Sequence, residues 1–353
     1  MFPALPFIRT SLRTATIAAC TVALNAWAAS PISTYAPDPT ADDLAWKLPP
    51  VSAPVDNAST PDRVELGKAL FFDPRLSGNG AIACATCHNP GLGWSDGLKT
   101  AVGWGGQVLG RATPTVVNTV YNTQFMWDGR KKSLEDQALG PMQTPQEMNT
   151  DFAAALARLR ANTTYVAMFD KAYPGAGVRE ETIAKAIAAF ERTVVVNDTP
   201  FDRWLDGDKT AMTMQQWRGY KVFTSADGGN CAACHSAPNF TDNGYHNIGI
   251  ATPAGAQYDM GRYAIRKVAS MRGAFKTPTL RNVSLTAPYF HDGSASTLSA
   301  VVEHYARGGD DRSNLSPSMK TLNLSEQDKQ DLVAFMGALS GKPNAVALPL
   351  LPQ

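Results

Sequence analysis

Cys84-Ala85-Thr86-Cys87-His88 and Cys231-Ala232-Ala233-Cys234-His235 set two thiols and an imidazole at the same spacing twice in one chain. Two thiols three positions apart can each add to a vinyl group of one porphyrin. The histidine that follows can then put a ring nitrogen on the iron. A redox dithiol or half of a zinc site would also use Cys-x-x-Cys, but neither requires histidine directly afterwards. The two motifs also lie too far apart in the chain for one zinc ribbon. Four of the five cysteines fall in these motifs, which leaves none for a disulfide framework. The chain therefore reads as a redox protein with two covalently bound haem c groups. Cys84, Cys87, Cys231 and Cys234 are the attachment thiols, and His88 and His235 are iron ligands.

Compartment and partners follow from the N-terminal segment and the charge. Arg9 and Arg13 precede an apolar stretch from Thr14 to Ala29 that contains Ala26-Trp27-Ala28. That order predicts a signal peptide over residues 1–28, cut after Ala28, and a periplasmic protein. Ile17-Ala18-Ala19-Cys20 offers a second reading, a lipoprotein cleavage box. The apolar run is too short to span a bilayer, so no membrane attachment is expected after its removal. Losing Arg9 and Arg13 moves the formal net charge from +1 to −1, with no basic excess to suggest a nucleic-acid partner.

Elements that could position the motifs are mostly helical. Phe152, Leu156 and Leu159 share one helical face, as do Ile183, Ile187, Phe190 and Val194 over 180–195. Ser325-Glu326-Gln327-Asp328 reads as a helix start before Leu332, Phe335, Met336 and Leu339, with Gly341 as the stop. Thr297 to Tyr305 reads as a short helix ended by Gly308-Gly309, and Leu298, Val301, Val302 and Tyr305 share its face. Long Gly- and Pro-rich loops over 89–114 and 236–261 are of a length that wraps a ligand. The expected fold is mainly α, with two cytochrome-c-like haem domains and long loops. Its parts are an extended leader over 29–60, an N-terminal domain over 61–197 and a C-terminal domain over 198–353.

Several ordered blocks carry a family resemblance. They are Leu66-Gly67-Lys68-Ala69-Leu70-Phe71-Phe72-Asp73-Pro74-Arg75-Leu76-Ser77, Trp127-Asp128-Gly129-Arg130, Gln137-Ala138-Leu139-Gly140-Pro141 and Thr286-Ala287-Pro288-Tyr289-Phe290-His291-Asp292-Gly293. Over nearly all of the chain beyond its leader, the sequence resembles the bacterial dihaem cytochrome c peroxidases, including their methylamine-utilisation (MauG) branch. The resemblance implies that hydrogen peroxide is handled at the N-terminal haem while the C-terminal haem receives electrons. A small cytochrome c or a cupredoxin would be the donor, and a homodimer is compatible with the family.

Residue roles carry over by position. Splitting peroxide needs an acid–base group held over the iron without binding it. The resemblance places Glu147 there, with Gln137 as its hydrogen-bonding neighbour. By its own spacing alone Glu147 reads first as a loop carboxylate before a helix capped around Asn149–Asp151, and it is the resemblance that reverses this. Where many relatives carry a histidine that caps the first haem at rest, this chain has Trp104, whose indole nitrogen only donates. The first haem is therefore expected to be open. Tyr305 stands where the peroxidases carry methionine and the MauG branch carries tyrosine, which implies a phenol ligand on the second iron. A core tyrosine with a hydrogen-bonded hydroxyl is the alternative, and His304, His246, His291 and Met271 are reserve ligands. Trp127 matches an indole between the two porphyrins, suited to relaying an electron. The family's calcium site matches the carbonyls of Thr286 and Pro288, but its asparagine position is Ala112.

Three functions fit these residues. One is a periplasmic peroxidase, and the second is a MauG-like oxidase that uses a two-haem high-valent state on a protein or other substrate. A dihaem electron carrier is the third. Glu147, Gln137 and Trp104 count against the carrier. Tyr305 favours the oxidase, yet Gly229 stands where the methylamine enzyme has a surface tryptophan as its electron exit.

Overall fold

Helix starts across the chain are made by side chains that accept the first free backbone N–H groups. In the computed structural model, which describes residues 1, 34–341 and 346–353, Ser133 Oγ accepts from Asp136 N (3.1 Å) and Thr297 Oγ1 from Ala300 N (3.1 Å). Ser325 and Asp328 cap each other reciprocally. The expected signal segment and Cys20 lie outside the described residues.

In chain order the helices are α1 (Pro61–Phe72), α2 (Cys84–Cys87), α3 (Leu134–Gln143), α4 (Phe152–Ala161), α5 (Thr163–Ala172) and α6 (Glu180–Glu191). Then come α7 (Pro200–Leu205), α8 (Met214–Thr224), α9 (Tyr263–Arg266), α10 (Leu298–Ala306) and α11 (Glu326–Ala338). A two-stranded antiparallel sheet pairs β1 (Tyr245–His246) with β2 (Phe275–Lys276), Tyr245 opposite Lys276. The helix expected over 180–195 ends at Glu191, because Thr193 and Val194 N–H groups turn back to the carbonyls of Phe190 and Glu191. No described helix is long and apolar enough to cross a membrane.

The two larger apolar cores among the described residues each form around one closely packed helix pair. In the first, α1 lies on α6 so closely that a methyl group on Gly67 would sit 1.8 Å from the Ala186 carbonyl oxygen. In the second, α8 lies on α11 and a methyl group on Gly219 would sit 1.9 Å from that of Asp331. Only glycine permits either approach. Residues expected as a leader with little structure join the second core. Trp46 is buried with its ring 4.6 Å from Phe240, and Trp204 Nε1 donates to the Pro37 carbonyl (2.7 Å).

The two halves also repeat at finer scale. Asn118 and Asn282 are both left-handed (φ 58° and 59°), and each is tied to the segment after its half's last helix. Asn118 Oδ1 accepts from Val196 N, and Asn282 Oδ1 accepts from Gly341 N. At the same offset, Met126 pairs with Phe290 and Gly129 with Gly293, all at positive φ. The bridge Phe125–Lys131 repeats as Tyr289–Ala295. By this register α3 corresponds to α10, Trp127 to His291, and Pro141 to Tyr305.

Candidate active site

Both motif histidines are half-buried, and each has its Nδ1 at a backbone carbonyl. His88 Nδ1 lies 3.2 Å from the Trp94 oxygen and His235 Nδ1 lies 3.0 Å from that of Phe240. A carbonyl only accepts, so Nδ1 carries the proton and Nε2 keeps its lone pair for a metal. Burial holds both rings neutral. It lowers the His88 pKa against the pull of the Trp94 carbonyl, and takes His235 to about 4 against that of Phe240. Both rings line one continuous cavity with mainly apolar walls, among them Phe125, Leu134, Phe275, Leu298 and Val302.

The thiols fit haem and not a thiolate site. Burial raises Cys87 and Cys234 to about 11 and Cys231 to about 12, and raises Cys84 further. Redox dithiols and zinc ligands need the anion, whose pKa such sites lower. A thioether has no charge to desolvate, and the porphyrin face matches the apolar wall. The four cysteines are unpaired, and the chemistry of the donor set fits two haem c groups.

The face of α10 is the one the sequence indicates. Leu298, Val301, Val302 and Tyr305 all line the cavity. Burial, followed by the neighbouring Cys234 and Cys231, pushes the Tyr305 phenol upward. His304 is turned away, with Nδ1 at Asp310 Oδ2 (3.1 Å) and Nε2 at the Ile248 oxygen (2.8 Å). His246 lies between Asp242 Oδ2 (2.8 Å) and Ser316 Oγ (2.9 Å). His291 stacks on Phe275 at 3.7 Å, and Met271 does not line the cavity. Of the five candidate ligands, Tyr305 reaches the cavity with its hydroxyl in no hydrogen bond among the described residues.

Trp127 lines the same cavity. Its Nε1 donates to the Ala112 oxygen (2.8 Å), and its ring meets His291 edge-on at 6.4 Å. The two repeat-related residues therefore face each other where the halves meet. Thr286 and Pro288 also line the cavity. Ala112 offers no side-chain oxygen, and Trp127 already occupies its carbonyl.

On the first half's other side, Gln137 lines the cavity and Glu147 does not. Gln137 Nε2 lies 3.9 Å from Met126 Sδ, and no hydrogen bond joins it to Glu147 among the described residues. The expected direct Gln137–Glu147 bond is therefore replaced by this sulfur contact. Glu147 is half-buried, and burial raises its pKa against the opposing effects of Arg130 and Thr144. The Trp104 loop docks on the Glu147 loop, with Trp104 N donating to the Gln146 oxygen (3.0 Å).

Two buried ionisable groups in the cavity escape the sequence reading. Glu191, 4% exposed, has an Oε2 without a hydrogen-bond partner, and burial raises its pKa to about 8. Its sequence signal is a carboxylate in register with Ile183 and Ile187 on the inner face of α6. The repeat sets it opposite Met336, a plain apolar wall residue. Lys276, 8% exposed, donates from Nζ to the Thr277 oxygen (2.7 Å), and burial lowers it to about 8. Pattern reading hides it, since it alternates correctly within a two-residue strand.

Two anchored histidines, four thiols and a shared apolar cavity on a duplicated helical frame define a two-haem c-type oxidoreductase. A family profile for di-haem cytochrome c peroxidase (CCP_MauG) matches residues 61–210, and one for cytochrome c matches 217–340. The chain is 47% identical to the methylamine utilization protein MauG of Methylorubrum extorquens, over 86% of this chain and 85% of that one. It is 41% identical to the cytochrome c551 peroxidase of Pseudomonas aeruginosa, over 82% and 81%. The crystal structure of a MauG-like protein associated with microbial copper homeostasis superposes with a TM-score of 0.78 at 30% identity, covering 84% of this chain and 94% of that one. The chain belongs to the dihaem cytochrome c peroxidase family, and it is an enzyme that binds two haem c groups covalently.

Proposed function

We propose that this enzyme reduces hydrogen peroxide at the haem held by His88, with electrons entering through the haem held by His235. Each bound haem supplies an iron that changes oxidation state by one electron. The carrying observation is the asymmetry between equivalent helix positions. Tyr305 on α10 puts a phenol into the cavity, whereas its counterpart on α3 is Pro141, which has no group able to bind a metal. Trp104 cannot cap the first site either, because indole nitrogen only donates. Peroxide thus has room at the first site, and the second is closed for electron transfer.

The chain's residues divide the work. Trp94 and Phe240 carbonyls hold the two imidazoles in the ligating tautomer. Burial raises the Glu147 pKa, which suits a carboxyl that takes a proton from one peroxide oxygen and returns it to the other, reaching the cavity past Gln137 or through a water. Trp127, fixed by Ala112, carries the electron between the halves. Calcium, if held by the Thr286 and Pro288 carbonyls, takes water in place of the side chain that Ala112 lacks. The functional halves are 61–197 and 198–353. Residues 1–28 direct export to the periplasm, where a small cytochrome c or cupredoxin supplies electrons.

Tyr305 favours a second reading. A phenolate stabilises higher oxidation states of iron, which suits MauG-like oxidation of a protein. Gly229 weighs against that reading, since it provides no aromatic exit beside the second motif.

Mixing the oxidised, haem-loaded protein with peroxide in a stopped-flow instrument tests the proposal. Reaction should occur without prior reduction, from a resting state with one high-spin and one low-spin ferric centre, and added donors should consume further peroxide. Two low-spin centres, with reaction only after half-reduction, would overturn it.

A further inference from the structure

One surface segment carries charge that the fold does not neutralise. From Met260 to His291 the chain has no acidic residue, and it has Arg262, Arg266, Lys267 and Arg272 within its first part. No carboxylate oxygen lies within 4.0 Å of a side-chain nitrogen of these four among the described residues. Asp259, the nearest acid in sequence, is taken by both Nε and Nη2 of Arg111. Residues 264–270 are all exposed, and Ile265 (41%) and Val268 (49%) stand between the cations. Exposed apolar groups ringed by unpaired cations form an interface pattern, because the cations steer a partner and the apolar centre holds it.

The segment's roots give the surface a purpose. At one root, Arg262 Nη1 donates to the carbonyls of Asp128 (2.8 Å) and Gly129 (2.7 Å), and its guanidinium lies 4.3 Å from the centre of the Tyr245 ring. Asp128 directly follows Trp127. At the other root, Asn247 and Asn314 donate to the Arg272 carbonyl (3.1 and 2.8 Å). Asn247 follows His246, which lines the cavity of His235. The exposed patch is therefore rooted at one end on the backbone that follows Trp127 and at the other on the residue that follows His246, and Trp127 and His246 both line the cavity.

We propose that residues 260–272 form the docking surface for a small redox protein with an acidic face, the electron donor of this enzyme. This rests on the peroxidase reading and adds the partner's charge and its place of contact. The formal net charge, +1 for the whole chain and −1 without residues 1–28, is too small to steer a partner from a distance, so the attraction is local to the patch. Each encounter would pass one electron from the donor's reduced metal, which is oxidised, to the half that holds the second haem; two such electrons and two protons taken from solvent reduce one peroxide to two waters.

The test uses the haem-loaded enzyme with plastocyanin, an acidic copper protein, and compares wild type with an Arg266→Glu, Lys267→Glu double variant. Wild type should bind oxidised plastocyanin in isothermal titration calorimetry at low salt. Its second-order electron-transfer rate with the reduced form should fall as ionic strength rises. The double variant should lose at least about tenfold in that rate at low salt, and most of its salt dependence, since steering contributes about 10–10³-fold. An Arg266→Gln, Lys267→Gln variant should fall between the two, with unchanged haem content and circular dichroism. Equal rates and equal salt slopes in wild type and the charge-reversed variant would overturn the proposal. So would capture of the segment by phosphatidylglycerol vesicles without any effect on plastocyanin. Turnover of peroxide with a small dye donor separates the two claims. Dye turnover without plastocyanin binding removes the docking surface and leaves the peroxidase, whereas no dye turnover removes the peroxidase reading itself.

Discussion

The two halves of this molecule are built alike up to the point where chemistry begins. Each crosses two helices at a glycine, anchors a motif histidine on a carbonyl, and ties its long loop down with a left-handed asparagine. They differ in what faces the cavity. In the first half Glu191 lines it, with Pro141 and the Glu147 loop outside the lining, whereas in the second Tyr305, Met336 and Lys276 line it. A shared frame thus allows each site to be adjusted by single residues. Frame positions answer to backbone geometry, and cavity positions answer to the charge and ligation state each iron must hold.

Removing the acid on the first side should have the largest effect. Glu147→Gln keeps size and polarity but cannot pass a proton, so the peroxide reaction should slow by about 10²–10⁴-fold, the range for a general acid–base. Stopped-flow traces at the wild-type rate would return Glu147 to the role of a loop residue.

The contrast between Glu191 and Met336 makes a prediction about pH. With its pKa at about 8 in the folded state and an ordinary value of 4.5, Glu191 keeps its proton on folding where the unfolded chain has lost it. The folded state therefore binds more protons between those values. Its stability falls as pH rises through that window and levels off above about 8. Glu191→Gln has no such proton to lose. It should match wild type near pH 4.5 and be more stable by up to about 4 kcal/mol at pH 8. Thermal unfolding across that range would measure it, and a variant that gains nothing toward high pH would show that the carboxyl finds a partner in the holoenzyme.

Tyr305→Met makes the second half resemble an ordinary peroxidase. The potential of the second haem should rise by on the order of 100 mV, since axial ligands shift haem potentials across about 0.8 V. Redox titration with optical detection of the low-spin centre gives the number. An unchanged potential and low-spin signal would exclude Tyr305 as a ligand.

Much of the frame was legible from single residues. Thr297 and Ser325 cap where their spacing indicates, and the Leu298–Tyr305 face meets the cavity because a helix repeats every 3.6 residues whatever surrounds it. His304, one position from Tyr305, points away for the same reason. The reading failed where distant segments meet. Residues before 60 look structureless because their apolar content is thin, yet Trp46 completes the second core. Gln137 was paired with Glu147 by resemblance, but the chain path places Met126 nearer to its amide.

Two Cys-x-x-Cys-His motifs determined by themselves that this protein carries two haem c groups, because covalent attachment and the adjacent ligand are local chemistry. Local periodicity likewise determined its helical character. Only the tertiary structure brought Trp127 against His291, left Glu191 Oε2 without a hydrogen-bond partner among the described residues, and tied an unneutralised basic segment to the backbone that follows Trp127. Those relations depend on contacts between residues far apart in the chain, whose energies come from burial and pairing and leave no spacing to read.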